Sequence, residues 1–129
     1  MGDTGSLALG GAIAELVGPL GVAIAGAMTG RAYRTYVLTG DGEMQEGSNW
    51  EAIASAAQFG LDNLTLIIDH NRFQQGAALK DTNNLAPFGS KLAAFGWDVT
   101  EIDGHDMTQI VPALETRRGR PHCVVAHTN

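Results

Sequence analysis

Three observations predict a doubly wound α/β fold, with a mostly parallel sheet and helices on both faces. Short apolar runs rich in β-branched residues, at 36–38, 63–69 and 122–127, read as buried strands. The stretches between them carry apolar residues at helical spacing. Strand and helix signals alternate along the chain, the order that βαβ units produce.

Each element has its own justification. Residues 5–29 are rich in Ala and Gly, with apolar residues at helical spacing, and predict one or two closely packed helices interrupted near Gly18-Pro19. The apolar stretch from Leu7 to Met28 is not read as a membrane span or signal peptide, because Glu15, Pro19 and several glycines break it and no basic segment precedes it. Tyr36–Leu38 is a short buried strand. In residues 48–59, Trp50, Ile53, Ala54 and Ala57 form a helical stripe, Ser48 and Glu51 have capping-box spacing, and Gly60 marks the end.

"NLTLIID", 63–69, is a second buried strand, and a polar segment without periodicity follows from His70 to Asn84. "LAPFGSKLAAFG", 85–96, predicts a short helix stopped by Gly96, and "WDVTEID" alternates as a strand does. Asp106 and Gln109 suit the start of a helix reaching Arg117, with Pro112 predicting a kink or a later start. "HCVVAH", 122–127, is the last strand. No repeat, linker or low-complexity segment interrupts residues 1–129, which are read as one domain.

Composition narrows the function. Net charge is −6, so no basic field exists to attract nucleic acid, and an anionic ligand has to be held by local devices such as metal ions and helix N-termini. The 17 glycines are about double the average usage, pointing to tight turns and close backbone approach. A single cysteine, Cys123, excludes an intramolecular disulfide; it reads as a buried strand residue and fits a reducing, cytoplasmic setting.

The chemistry concentrates at two predicted strand ends. Ligands of open α/β sheets bind beyond the carboxyl ends of the strands, where Gly40-Asp41-Gly42 and Asp69-His70-Asn71 fall. Asp41 is a hard anionic oxygen donor and Asn71 a neutral one. With a backbone carbonyl they leave octahedral positions open for phosphate oxygens and water, the arrangement Mg²⁺ prefers. The glycines around Asp41 permit a sharp turn, and Gly42 can offer its N–H to a phosphate with no Cβ in the way.

"GDGEMQEGSNWEA" followed by "NLTLIIDHNRFQ", with Asp41 and Asn71 separated by 30 positions, resembles the thiamine-diphosphate motif of transketolases. "LAPFGSKLAAFGWDVTEIDGHD" extends the resemblance over about residues 30 to 127, to the cofactor-binding domain and to the amino-terminal subunit of transketolases split into two chains. The resemblance implies that Asp41, Asn71 and the carbonyl of Phe73 coordinate a divalent ion. It places Gly40, Gly42 and Glu43 against thiamine diphosphate, and Glu46 and Glu51, counted as the catalytic residues, in a hydrogen-bonded acidic cluster across the subunit interface near the dyad. A family segment of the Thr-Gly-Ser-Leu-Gly type contacts the diphosphate; "TGSLALGG" and "GPLG" both look like it, and Gly5-Ser6 is the preferred match although neither spacing fits. The implied partners are a second copy or a pyrimidine-binding subunit, and the implied substrate is a sugar phosphate, with no nucleic acid and no membrane. Relative to the family the chain is shorter: the preceding histidines and the pyrimidine-domain glutamate that activates the cofactor have no match here.

Simpler readings stand beside these. Asp41 could satisfy its own turn, Asn71 could be a left-handed turn residue, and Glu51 could only complete a capping box. His70 has no zinc-ligand spacing, and His105, His122 and His127 read as structural. Trp50 and Trp97 read as core or interface residues, and Arg117, Arg118 and Arg120 as a solvated helix end. Rivals in function are a minimal cofactor-binding or dimerisation domain without turnover, a deoxyxylulose-phosphate synthase or 2-oxo acid dehydrogenase α-type domain, and a nicotinamide-binding domain. The last lacks the expected glycine fingerprint.

Overall fold

The computed structural model describes residues 5–9, 16–40, 42–70, 73–74, 77–78 and 87–128, giving only the backbone at 5–9, 45, 73–74 and 77–78. In chain order the elements are β1 (Gly5–Leu9), α1 (Val17–Met28), β2 (Arg34–Gly40), a 3₁₀ turn (Gly42–Gln45), α2 (Gly47–Phe59), β3 (Leu64–His70), β4 (Phe73–Gln74), β5 (Ala77–Ala78), α3 (Phe88–Ala94), β6 (Asp98–Asp103), α4 (Met107–Glu115) and β7 (His122–His127).

Five strands form one parallel sheet in the order β1-β2-β3-β7-β6, and β4 pairs with β5 in a separate antiparallel ribbon. The apolar strand residues sort onto two faces because successive side chains point to opposite sides. Val37, Leu66, Ile68, Cys123 and Val125 pack with Ala23 of α1, Ile53 and Ala56 of α2, Phe88 and Leu92 of α3, and Trp97. On the other face Val124 and Ile102 pack with Ala113, Ile110 and Leu114 of α4. The predicted doubly wound class is therefore observed.

Local chemistry fixes the helix ends. Gly60 closes α2 in the left-handed conformation at φ 61°, as its position in the sequence predicts. The Asp106 carboxylate accepts the Thr108 N–H at the start of α4. At the other end of α4, Arg34 donates to the carbonyls of Glu115 and Thr116 and Tyr36 donates to that of Leu114, so β2 anchors the helix terminus. Pro112 lies within α4 and neither breaks it nor delays its start.

Four expectations are corrected. Gly5–Leu9 is a strand and not helix: alanine, glycine and leucine commit the segment weakly, and parallel pairing with Arg34–Leu38 of β2 decides its state. Gly18-Pro19 does not interrupt a helix but lies in the first turn of α1, where a proline lacks an N–H that would be unused anyway. The stripe of α2 is rotated by one residue, with Asn49, Ala52, Ile53 and Ala56 buried and Ala54 exposed. Ser48 consequently lies inside α2 and Glu46 occupies the cap position without a side-chain hydrogen bond, so the Ser48–Glu51 capping box does not form.

Candidate functional site

Strand register builds the site. Gly40 of β2 lies beside Asp69 of β3, and Asp69 and His70 lie beside Ala126 and His127 of β7. The carboxyl ends of three adjacent strands thus stop at one level, where a parallel sheet presents ligand-binding loops. The chain leaves β2 at Gly40 and β3 at His70, directly before the two predicted metal ligands. Asp41 and Asn71 themselves lie outside the described residues. Phe73 opens β4, two residues beyond Asn71.

The turn after β2 is held from below. Glu43, in the 3₁₀ turn opened by Gly42, accepts the Gly40 N–H through Oε1 at 3.0 Å. Among the described residues, its second oxygen, Oε2, is buried with no hydrogen-bond partner. A carboxylate oxygen in that state calls for a donor or cation nearby. A Cβ added at Gly40 would lie 3.6 Å from Glu43 Oε1, an ordinary contact, so the described protein atoms do not themselves require glycine there.

Asn49 is the residue that sequence reasoning missed. Fully buried in the first turn of α2, it accepts the Leu16 N–H through Oδ1 at 3.1 Å and donates through Nδ2 to the Glu43 carbonyl at 2.9 Å. One amide therefore ties the start of α1 and the 3₁₀ turn to α2. Its only sequence signal is a polar residue on the inner stripe of a helix. Nearby, Trp50 donates its indole N–H to the carbonyl of buried Met44, and its ring lies 5.9 Å from that of Phe95. Trp97 donates to the Ile53 carbonyl at 2.9 Å, so both tryptophans serve packing.

Glu46 and Glu51 stand exposed at the amino end of α2, next to this turn. The structure does not bring Gly5 and Ser6 to the same place. They pair with Arg34 and Thr35, at the amino end of β2, whereas Gly40 is at its carboxyl end. The other glycine segment, Gly18 to Gly21, forms the first turn of α1, which Asn49 ties to Glu43.

On the β7 side, His127 bonds Glu101 through Nε2 at 2.8 Å, and the His70 ring meets those of His127 and Phe88 edge-on at 5.4 Å each. Thr128 donates its hydroxyl to Asp69. Gly104 lets the chain pass close here, since an added Cβ would stand 2.6 Å from Thr128 Cγ2 and 3.2 Å from the His127 carbonyl, and Thr128 would have to shift. Further down the sheet, buried His122 contacts Thr100 at 2.9 Å; desolvation, opposed by Asp98, holds its imidazole below the ordinary histidine range. Burial pushes the Cys123 thiol up, so it is an inert core residue. Among the described residues no helix is long and apolar enough to cross a membrane, and no cluster of three or more His, Cys, Asp or Glu could hold a metal.

Comparison with known proteins agrees with this geometry. Residues 11–128 match the family described as "Transketolase, thiamine diphosphate binding domain". A subunit of the apulose-4-phosphate transketolase of Actinobacillus succinogenes is 44% identical over 98% of this chain and 45% of its own length. Human transketolase is 37% identical over 84% of this chain and 18% of its own. Among solved structures, transketolase from Campylobacter jejuni superposes with a TM-score of 0.86 at 29% identity, over 92% of this chain and 20% of that one. The chain thus spans less than half the length of these relatives. These matches favour the transketolase reading over its rivals, and the chain belongs to the transketolase family, in its thiamine-diphosphate-binding domain.

Proposed function

We propose that this chain holds the diphosphate of thiamine diphosphate through a divalent cation, Mg²⁺, as part of an enzyme that moves a two-carbon ketol unit from a ketose phosphate to an aldose. The observation that carries the reading is the register of β2 and β3, which end side by side immediately before Asp41 and Asn71. The unmet Glu43 oxygen under the same turn fits a cation there. Asp41, Asn71 and the Phe73 carbonyl would be the protein ligands. Gly40 and Gly42 would admit the diphosphate, and Glu43 would hold the turn through the bond of its Oε1 to the Gly40 N–H.

When bound, thiamine diphosphate supplies the carbanion-stabilising chemistry of ketol transfer. The chain's own residues bind and orient: an anionic cofactor meets a chain of net charge −6, so the cation must carry the attraction. Glu46 and Glu51 are assigned to a two-fold interface with a second copy, and a pyrimidine-binding partner would complete the cleft in the cytoplasm. The apulose-4-phosphate relative, itself one subunit of its enzyme, supports such a division of labour. The test is ketol transfer from a ketose phosphate by the purified chain, with and without a pyrimidine-domain subunit. The proposal expects turnover only with the partner and only with both thiamine diphosphate and Mg²⁺; turnover indifferent to both cofactors would end it.

A further inference from the structure

We infer that Thr128 is a positioning residue for the cation site: from beyond the end of β7 it holds Asp69 and the His70 carbonyl, and through them the point at which β3 releases Asn71. The inference rests on the Mg²⁺ site proposed above and adds to it a residue from a third strand.

Thr128 bonds two consecutive residues of β3. Its hydroxyl donates to the Asp69 carboxylate, and its backbone N–H donates to the His70 carbonyl at 3.3 Å. The contact between these strands is thereby carried past His127, the last residue of β7. A hydroxyl bond to a carboxylate is charge-assisted and stronger than one between neutral groups. Asp69 and His70 are the two residues directly before Asn71, and Asp69 is the register partner of Gly40, which directly precedes Asp41. One side chain therefore acts where both proposed side-chain ligands leave the sheet.

Thr128 is held in turn from the side of β6. Gly104, the residue after that strand, donates its N–H to the His127 carbonyl at 2.9 Å. A Cβ at Gly104 would stand 2.6 Å from Thr128 Cγ2 and 3.3 Å from Ala126 Cβ. The φ of Gly104 lies outside the left-handed region, so this contact, and not backbone strain, opposes a side chain there. Threonine is stiff about χ1, and its methyl and hydroxyl share one carbon. Pushing the methyl aside therefore also moves the hydroxyl relative to Asp69.

The cation makes such positioning count. Mg²⁺ demands near-ideal octahedral geometry, and groups that orient metal ligands change affinity about 10–100-fold when they are removed. Asp69 is itself a hard oxygen donor at these strand ends, and Thr128 commits one of its oxygens to β7.

The test is the Mg²⁺ concentration that gives half-maximal binding of thiamine diphosphate to the 129-residue chain, measured by calorimetry. Thr128→Val keeps the shape of the side chain and removes the hydroxyl. The requirement should rise about tenfold or more in Thr128→Val and in Asp69→Ala. It should rise no further in the double variant, because the two changes break one bond. Thr128→Ser should return it toward the wild-type value, and Gly104→Ala should raise it. At saturating Mg²⁺ every variant should bind as much cofactor as wild type, whereas a merely structural defect would lower the bound fraction at all Mg²⁺ concentrations. Melting without ligand checks folding, and Gly104→Ala, which leaves the bonding groups of Asp69 and Thr128 intact, carries the test should Thr128→Val fail to fold. An unchanged requirement in Thr128→Val or Gly104→Ala, a double variant whose effect is the product of the two single ones, or no recovery with serine overturns the inference and leaves the cation site standing. A wild-type chain that does not bind thiamine diphosphate in Mg²⁺ removes the cation site, and this inference with it.

Discussion

Replacing Asn49 with alanine is the sharpest structural test, because one side chain joins three elements at the site. The substitution strips the buried Leu16 N–H of its acceptor and the Glu43 carbonyl of its donor. A buried polar group left unmet costs about 1–3 kcal/mol, and the Glu43 bond is only part-buried, so about 2–4 kcal/mol is the expected loss. For a chain of this length about 4 °C of melting temperature is lost per kcal/mol, which gives a drop of about 8–15 °C. Asn49→Asp keeps the acceptor for Leu16 but sets an oxygen against the Glu43 carbonyl, and should retain less stability than wild type while differing from alanine. Thermal melts followed by far-UV circular dichroism measure all three. An Asn49→Ala protein melting within about 2 °C of wild type would refute the reasoning.

Three other outcomes are expected. Glu43→Ala removes the carboxylate that fixes the Gly40 N–H and should weaken Mg²⁺-dependent cofactor binding about 10–100-fold, read by calorimetric titration. His122 stays neutral in the folded chain to lower pH than in the unfolded one, whose histidines take up protons near pH ~6.5. The unfolded state then binds more protons, so stability should fall as pH drops below about 7, and His122→Gln should flatten that fall in urea melts at stepped pH. Cys123 should resist a thiol reagent in the native protein and react rapidly once it is unfolded, whereas fast native labelling would contradict its burial.

The sheet and the order of its flanking helices were largely legible in the sequence. "NLTLIID" and "HCVVAH" mark β3 and β7 because strands buried on both faces must be continuously apolar. The Gly60 stop and the Asp106 cap follow from backbone chemistry that acts within a few residues. What was not legible depended on distant partners. Strand β1 takes its state from β2, and nothing within "GSLAL" announces it. The four alanines of α2 suit either an inner or an outer position, so the helix's rotation is decided by Ile53 and by Asn49, a polar residue acceptable in the core only because Leu16 and Glu43 satisfy it.

For the site, position was legible and support was not. The GDG turn and the 30-residue spacing to Asn71 identify two strand ends, and the register of β2 with β3 makes those ends neighbours. The Glu43 carboxylate beneath the turn and the Asn49 link behind it emerge only when α1 and α2 are packed against the sheet. Gly5 and Ser6 show the reverse case, a motif of the right composition lying at the wrong end of its strand.

Calorimetric titration of thiamine diphosphate into the chain, in Mg²⁺ and then with the cation removed by chelation, bears most directly on the central claim. Binding should require the cation and should weaken about a hundredfold or more in Asp41→Ala and Asn71→Ala, since altering even the supporting partners of a metal ligand costs about 10–100-fold. Equal affinity in wild type and both variants, or binding indifferent to the chelator, would contradict a cation gripped between the ends of β2 and β3.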